Sequence, residues 1–245
     1  SKFGIDMINT KMLNDTTLLL NKEDIQVLLE KAPYLISMSV KDFAKIVKED
    51  IVEKNDDIIL SIPDPKNEPV VGVIDTQFDD KVYFSKWVKE KNMLPAEIDI
   101  TIGDKFHGTA VSSIIVDGPQ FNPQYDDGCG RFQVRHFGVA KENGFSSYAI
   151  LKMIRDIVAQ NRDIKVWNLS LGSSMQIDLN FISPEAAELD RIQSEYDVIF
   201  VIAGTNMPDG MKGDMRIGAP ADSLNALVVN SVTAEGKAAS YSRKG

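Results

Sequence analysis

Five short apolar runs set the limits on how this chain can fold: Val70–Ile74, Phe132–Val139, Ile164–Leu169, Val198–Ala203 and Ala226–Val232. They are largely continuous rather than alternating, the pattern of strands covered on both faces. Amphipathic segments stand between them, near His107–Val116, Ser146–Gln160 and Ser183–Glu195. In the second of these, Ser146 or Ser147 can cap a helix, and Ile150, Met153, Ile154, Ile157 and Val158 make one apolar stripe. Strands alternating with helices predict an α/β fold, a mostly parallel sheet flanked by helices. Ligands of such sheets gather at the carboxyl ends of strands. That places Asp75, Asn168 and Asn206 at the edge where chemistry is expected.

The first 66 residues read differently, as a small α+β unit. Asn21 to Lys31 predicts a capped helix with Ile25, Leu28 and Leu29 on one face. Tyr34–Val40 suggests a strand, Lys41–Lys48 a short helix and Asp57–Ile62 another strand. The stretch Pro63-Asp64-Pro65-Lys66-Asn67-Glu68-Pro69 holds three prolines in seven positions and marks a linker. The expected organisation is therefore an N-terminal unit over residues 1–66 and a core over residues 67–245, in a chain of 245 residues that can bury a sizeable interior.

Charge and composition exclude several functions. With 27 basic and 36 acidic side chains the net charge is −9, and no basic run interleaves with aromatics, so no nucleic acid is expected as a partner. No apolar stretch approaches the roughly 20 residues that span a bilayer, and Leu18-Leu19-Leu20 is too short for a signal core. The single cysteine, Cys129, cannot close an internal disulfide. This favours a cytoplasmic setting, although a secreted protein whose signal had been removed would read the same way. No cofactor is expected. Asp79-Asp80 and Asp126-Asp127 are read as solvated acidic loops rather than calcium sites, which need several oxygens. His107 and His136 lack the spacing of a metal motif, and His136 is assigned no role. No glycine-rich phosphate loop follows any strand, which argues against a nucleotide-binding protein.

The candidate chemistry comes from four segments in order. Val70-Val71-Gly72-Val73-Ile74-Asp75-Thr76 releases an acid at a strand end. His107-Gly108-Thr109-Ala110-Val111 reads as a helix opened by a histidine, 32 positions later. Asn168-Leu169-Ser170-Leu171-Gly172 gives a polar strand edge, and Ala203-Gly204-Thr205-Asn206 an amide on a turn. Together they resemble the subtilisin-like serine peptidases, from about Val70 to the end of the chain. The resemblance implies that Asp75 orients and charges His107, that His107 is the general base and then acid, and that the Asn206 amide donates to an oxyanion. It also implies that Ser170-Leu171-Gly172 and Ala203-Gly204 are the two edges that hold an extended peptide or protein substrate. The N-terminal unit resembles the family's prosegment, an intramolecular inhibitor, with residues near Ile59–Asp64 in the substrate channel and cleavage near Ile62–Glu68.

The sequence departs from the family's pattern in four ways. Ala110 stands where a second histidine is usual, Ser112-Ser113 where Ala-Gly is common, and Thr205 where glycine directly precedes the asparagine. The fourth concerns the nucleophile: no G-T-S-x-A/M motif occurs, and Ser223, Ser231, Ser240 and Ser242 lack its context. The chain is accordingly expected to be a fragment that stops before the serine and is inactive alone. The alternative is a non-catalytic, peptide-binding pseudopeptidase.

Overall fold

A computed structural model of the protein describes residues 11–14, 17–20, 22–31, 61–121, 123–126, 128–141, 147–207 and 213–245. The expected strand at Tyr34–Val40 and helix at Lys41–Lys48 lie outside these residues, as do Asn21, Asp127 and most of Asp57–Ile62. Towards the N-terminus, β1 (Lys11–Asn14) and β2 (Thr17–Leu19) pair antiparallel and precede α1 (Lys22–Lys31). The hairpin was not expected, because its seven residues carry no alternation of apolar and polar side chains.

The remainder runs β3 (Val70–Asp75), β4 (Val88–Asn92), α2 (Gly103–Phe121), β5 (Gln133–Gly138), α3 (Ser147–Gln160), β6 (Val166–Leu169), α4 (Pro184–Tyr196), β7 (Ile199–Ala203) and β8 (Leu227–Val229). Six of the strands form one sheet in the order β4-β5-β3-β6-β7-β8, every neighbour parallel. The α/β expectation holds. All five apolar runs contain strands. The sixth strand, β4, reads Val-Lys-Glu-Lys-Asn and is exposed after Val88. It lies at the sheet edge, where one face and one hydrogen-bonding side meet water and charged residues discourage further pairing.

Side chains two apart on a strand share a face. Ile74, Phe137, Trp167, Leu169, Phe200 and Ile202 point to one side and pack with α3 and α4. Val73 and Val134 point to the other and pack with Val116 of α2 and with Phe78, Phe84 and Trp87. The Trp167 ring occupies the space a Cβ on Gly72 would need, so Gly72 admits a large aromatic into a parallel core. Ser183 caps α4 by accepting from the Ala186 N–H at 3.1 Å, with Pro184 in the first turn.

Helix α2 begins a turn earlier than expected. Thr101 and Asp104 cap it reciprocally: the Thr101 N–H donates to Asp104 Oδ2 at 2.8 Å, and the Asp104 N–H donates to Thr101 Oγ1 at 3.4 Å. His107 therefore lies in the second turn instead of opening the helix. The helical dihedrals break at Asp117 (φ −137°, ψ 31°). Its buried carboxylate accepts two bonds from Arg131 and one from the Tyr83 hydroxyl.

The strand order places a crevice. From β3 the chain fills one side of the sheet with β4 and β5, then crosses to fill the other with β6, β7 and β8. The switch falls between β3 and β6, whose carboxyl ends diverge there. Asp75 ends β3, and Ser170 follows β6. One expectation fails at the opposite edge. Ile62 packs against the cluster that includes Trp87, the Pro63 carbonyl accepts from Trp87 Nε1 at 2.8 Å, and Asp64 pairs with Lys86. Trp87 immediately precedes β4, so Ile62–Asp64 lie beside the amino ends of the strands and not in a channel at their carboxyl ends. The apolar Ile62, just before the linker, joins the nearest core.

Candidate active site

Parallel pairing with β5 and β6 carries β3 to its last residue, and Asp75 emerges at the carboxyl edge with its carboxylate completely buried. Helix α2 crosses the same edge. His107 Nδ1 stands 2.6 Å from Asp75 Oδ1, and the imidazole keeps 22% of its surface exposed. A carboxylate can only accept here, so Nδ1 carries the hydrogen and Nε2 the lone pair. Asp75 Oδ1 also accepts the Thr76 N–H at 2.6 Å. Its Oδ2 is buried and accepts no hydrogen bond. The acid's interactions therefore converge on the oxygen that faces the imidazole.

The approach of α2 to β3 depends on Gly108. A Cβ there would stand 2.7 Å from the carbonyl oxygens of both Thr76 and Gln77. Without one, the Gly108 N–H donates to Thr76 Oγ1 at 2.9 Å. Two more bonds stitch the turn after β3 to the helix: Gln77 N–H to the Asp104 carbonyl at 3.0 Å, and Asp79 N–H to Thr109 Oγ1 at 2.9 Å. The His-Gly-Thr motif thus supplies a base, a gap and an acceptor in consecutive residues.

The second half of the site lies across the switch point. Ile74, Leu169 and Ile202 share one register, which sets Asp75, Ser170 and Ala203 level along the edge. Asn168 sits inside β6, not at its end, and donates from Nδ2 to Ser170 Oγ at 2.8 Å. Leu171 is buried, while Ser170 and Gly172 are half-buried. Beyond β7, the Gly204 N–H donates to the Val229 carbonyl at 2.8 Å. Asn206 is exposed three residues past β7, two strands away from Asp75. The structure therefore joins Asp75 to His107 directly. Asn206 and the two edges share only the rim with them.

Thr205 occupies the left-handed region at φ 66°. Its Cγ2 fills the space beside Gly172 where a Cβ would stand. Its hydroxyl donates to the Gly204 carbonyl at 2.7 Å and accepts the Gly218 N–H at 3.0 Å. The departure noted at Thr205 is thus a wedge between the two candidate substrate edges.

Three groups at this rim were not singled out from sequence. Thr76 touches both acid and helix. Arg243 is buried and spans the edges: Nε donates to the Asn206 carbonyl at 2.8 Å, Nη2 to the Ser174 carbonyl at 2.9 Å and Nη1 to the Ser173 carbonyl at 3.4 Å. Burial lowers its pKa from the ordinary guanidinium value. His136, given no role above, is buried beneath His107 with Ser112. Only the Ser112 departure could have signalled that pair. Two of the four serines after Asn206 are engaged elsewhere: Ser223 donates to Asp190 Oδ1 and Ser242 to the Ser231 carbonyl. Asp79 and Asp126 each accept a backbone N–H two residues on, as acidic turns do. Among the described residues, no helix is long and apolar enough to cross a membrane.

The model of the subtilase family matches residues 66–245. Among solved structures, the fold is similar to that of the prenylagaramide maturation protease PagA, at 18% identity over 71% of this chain and 57% of that one, with a TM-score of 0.51. It is similar to the epidermin leader peptide processing serine protease EpiP from Staphylococcus aureus, at 19% identity over 73% and 50% of the two chains, with a TM-score of 0.51. A mutant of the protease domain of PatA matches at 16% identity over 71% and 62%, with a TM-score of 0.53. At such identities the likeness is one of fold. The chain spans between 50% and 62% of the length of these structures. No curated protein matches its sequence.

Proposed function

The chain belongs to the subtilase family, a family of serine peptidases, and on that premise we propose that it supplies the acid and the base of a serine endopeptidase. The observation that carries this reading is the 2.6 Å contact between Asp75 Oδ1 and His107 Nδ1. Asp75 fixes the tautomer, so that His107 Nε2 can take a proton from a serine hydroxyl attacking the scissile carbonyl. The imidazolium formed then faces a buried carboxylate, which stabilises it, and it returns the proton to the leaving amine. The exposed Asn206 amide is the proposed donor to the oxyanion. Removing such a donor lowers turnover about 10²–10³-fold, a magnitude known from subtilisin itself.

The serine is proposed to lie in a G-T-S-x-A/M motif outside these 245 residues. The chain alone would then bind peptide without cleaving it. A feature of the sheet agrees with a further packed element. On the α2 side, Val166, Leu227 and Val229 are exposed, and Ile114, two turns beyond His107 on α2, is 64% exposed. Large apolar surface of this kind signals a missing contact. The peptide itself is proposed to extend between Ser170-Leu171-Gly172 and Ala203-Gly204, with Thr205 restricting the adjoining pocket to a small side chain. Residues 1–66 are proposed as a prosegment that is removed near Ile62–Glu68, where Pro63, Asp64, Lys66 and Asn67 are exposed.

The test is a serine-directed fluorophosphonate applied to the protein as its natural gene encodes it. Labelling is expected, and His107→Ala is expected to abolish it while leaving the circular dichroism spectrum unchanged. Undiminished labelling of the variant would overturn His107 as the base, whereas no labelling of the parent protein, or a gene without a G-T-S-x-A/M motif after Gly245, would favour a peptide-binding protein without catalysis.

A further inference from the structure

His136 is one of only two histidines in the chain, and it lies beneath the other. It pairs with Val73 in the parallel register of β5 and β3, so its ring points to the α2 face, as Asp75 does. Only 1% of the residue is exposed, and Ser112 is fully buried. Nε2 stands 2.7 Å from the Thr76 carbonyl and Nδ1 3.0 Å from Ser112 Oγ. A carbonyl only accepts, so Nε2 carries the hydrogen. Nδ1 of the neutral ring then accepts from the Ser112 hydroxyl. The ring packs against Phe78, and its Cε1 lies 2.8 Å from where a Cβ on Gly108 would be.

Thr76 is where these contacts meet. Its N–H holds Asp75, its hydroxyl holds the turn of α2 that bears His107, and its carbonyl is held by His136. We propose that His136, set by Ser112, is a positioning residue that locks Thr76 and so keeps the Asp75 carboxylate and the His107 imidazole in contact. The proposal rests on the catalytic reading of that pair. It also explains the Ser112 departure, since an alanine there would leave a buried ring nitrogen without a donor. The same two residues have the composition of a nucleophile and its base. Complete burial of Ser112 rules that out, because no substrate carbonyl can reach its oxygen.

Proton NMR of the intact chain tests this directly. The short His107–Asp75 hydrogen bond is expected to give a strongly deshielded Nδ1–H resonance, which Asp75→Asn abolishes. His136→Gln keeps an N–H that can donate to the Thr76 carbonyl and is expected to retain the signal. His136→Leu keeps the bulk without the donor and is expected to lose the signal or move it upfield, in a protein whose amide spectrum is otherwise native. A folded His136→Leu variant with an unaltered signal would overturn the proposal. If that variant fails to fold, Ser112→Ala decides: a moved His107 signal supports the lock, and an unmoved one overturns it. Absence of the signal in the parent chain, or its survival in Asp75→Asn, would instead defeat the catalytic pairing, and the lock with it.

Discussion

Thr205 shows how far a single residue can be read. Its interruption of the Ala-Gly-Asn pattern is plain in the sequence, but its backbone conformation is not, because no local rule places a β-branched residue at positive φ. There it costs about 1–2 kcal/mol relative to a conformation without the clash. The Gly218 N–H it accepts returns about 0.5–1.5 kcal/mol. Glycine at this position would relieve the first term, lose the second and gain entropy in the unfolded chain of about 0.4–1 kcal/mol. Thr205→Gly is therefore expected to change the unfolding free energy by less than about 1 kcal/mol in urea titration. Its larger effect is expected on selection. With the methyl gone from Gly172, an active form should accept leucine as well as glycine before the scissile bond, seen as convergence of kcat/KM for the two peptides. A large loss of stability without broadened selection would make Thr205 a structural wedge only. Asp75 and His107 were legible for the opposite reason: each stands in a motif whose backbone setting is local. His136 and Ser112 are 24 positions apart and become a pair only when β5 and α2 pack.

At the scale of elements, the apolar runs identified five of the six core strands because burial on both faces leaves a strong compositional trace. β4 left none, since an edge strand of lysine, glutamate and asparagine looks like a loop. The start of α2 was misplaced because the His-Gly-Thr motif drew attention from the Thr101–Asp104 cap one turn earlier. What the motif does specify is the closeness of that helix to the turn after β3. Gly108→Ala is expected to force the Thr76 and Gln77 carbonyls away, because both are backbone atoms and neither can rotate aside. Overpacking of this kind costs about 1–3 kcal/mol. A lowered melting temperature together with loss of the deshielded His107 resonance would verify it. An unchanged resonance would show that the acid–base contact survives separation of the helix from the strand.

The molecule as a whole answers to pH through the same buried ring. Burial lowers the pKa of His136 from the ordinary 6.5, and this outweighs the Thr76 carbonyl bond and the negative charge of Asp75, which both raise it. Asp75 on β3 is the charged group whose field raises it, and Glu90 of β4 stands beside His136 in the parallel register, on the same face of the sheet. Its neighbours from α2, Gly108 and Ser112, are uncharged, as is Phe78 in the turn. The folded state therefore resists a proton that the unfolded chain accepts near 6.5. Between these two pKa values the unfolded state binds more protons, so stability rises with pH. Fully present above the unfolded value, this contribution is lost as the pH falls below about 6.5. It is expected to level off once the folded state also takes the proton. Chemical denaturation at a series of pH values should show the decline in the parent chain and a flatter profile in His136→Gln, which has nothing to titrate at that position. Equal slopes in the two proteins would assign the acid sensitivity to other groups and leave His136 without a part in it.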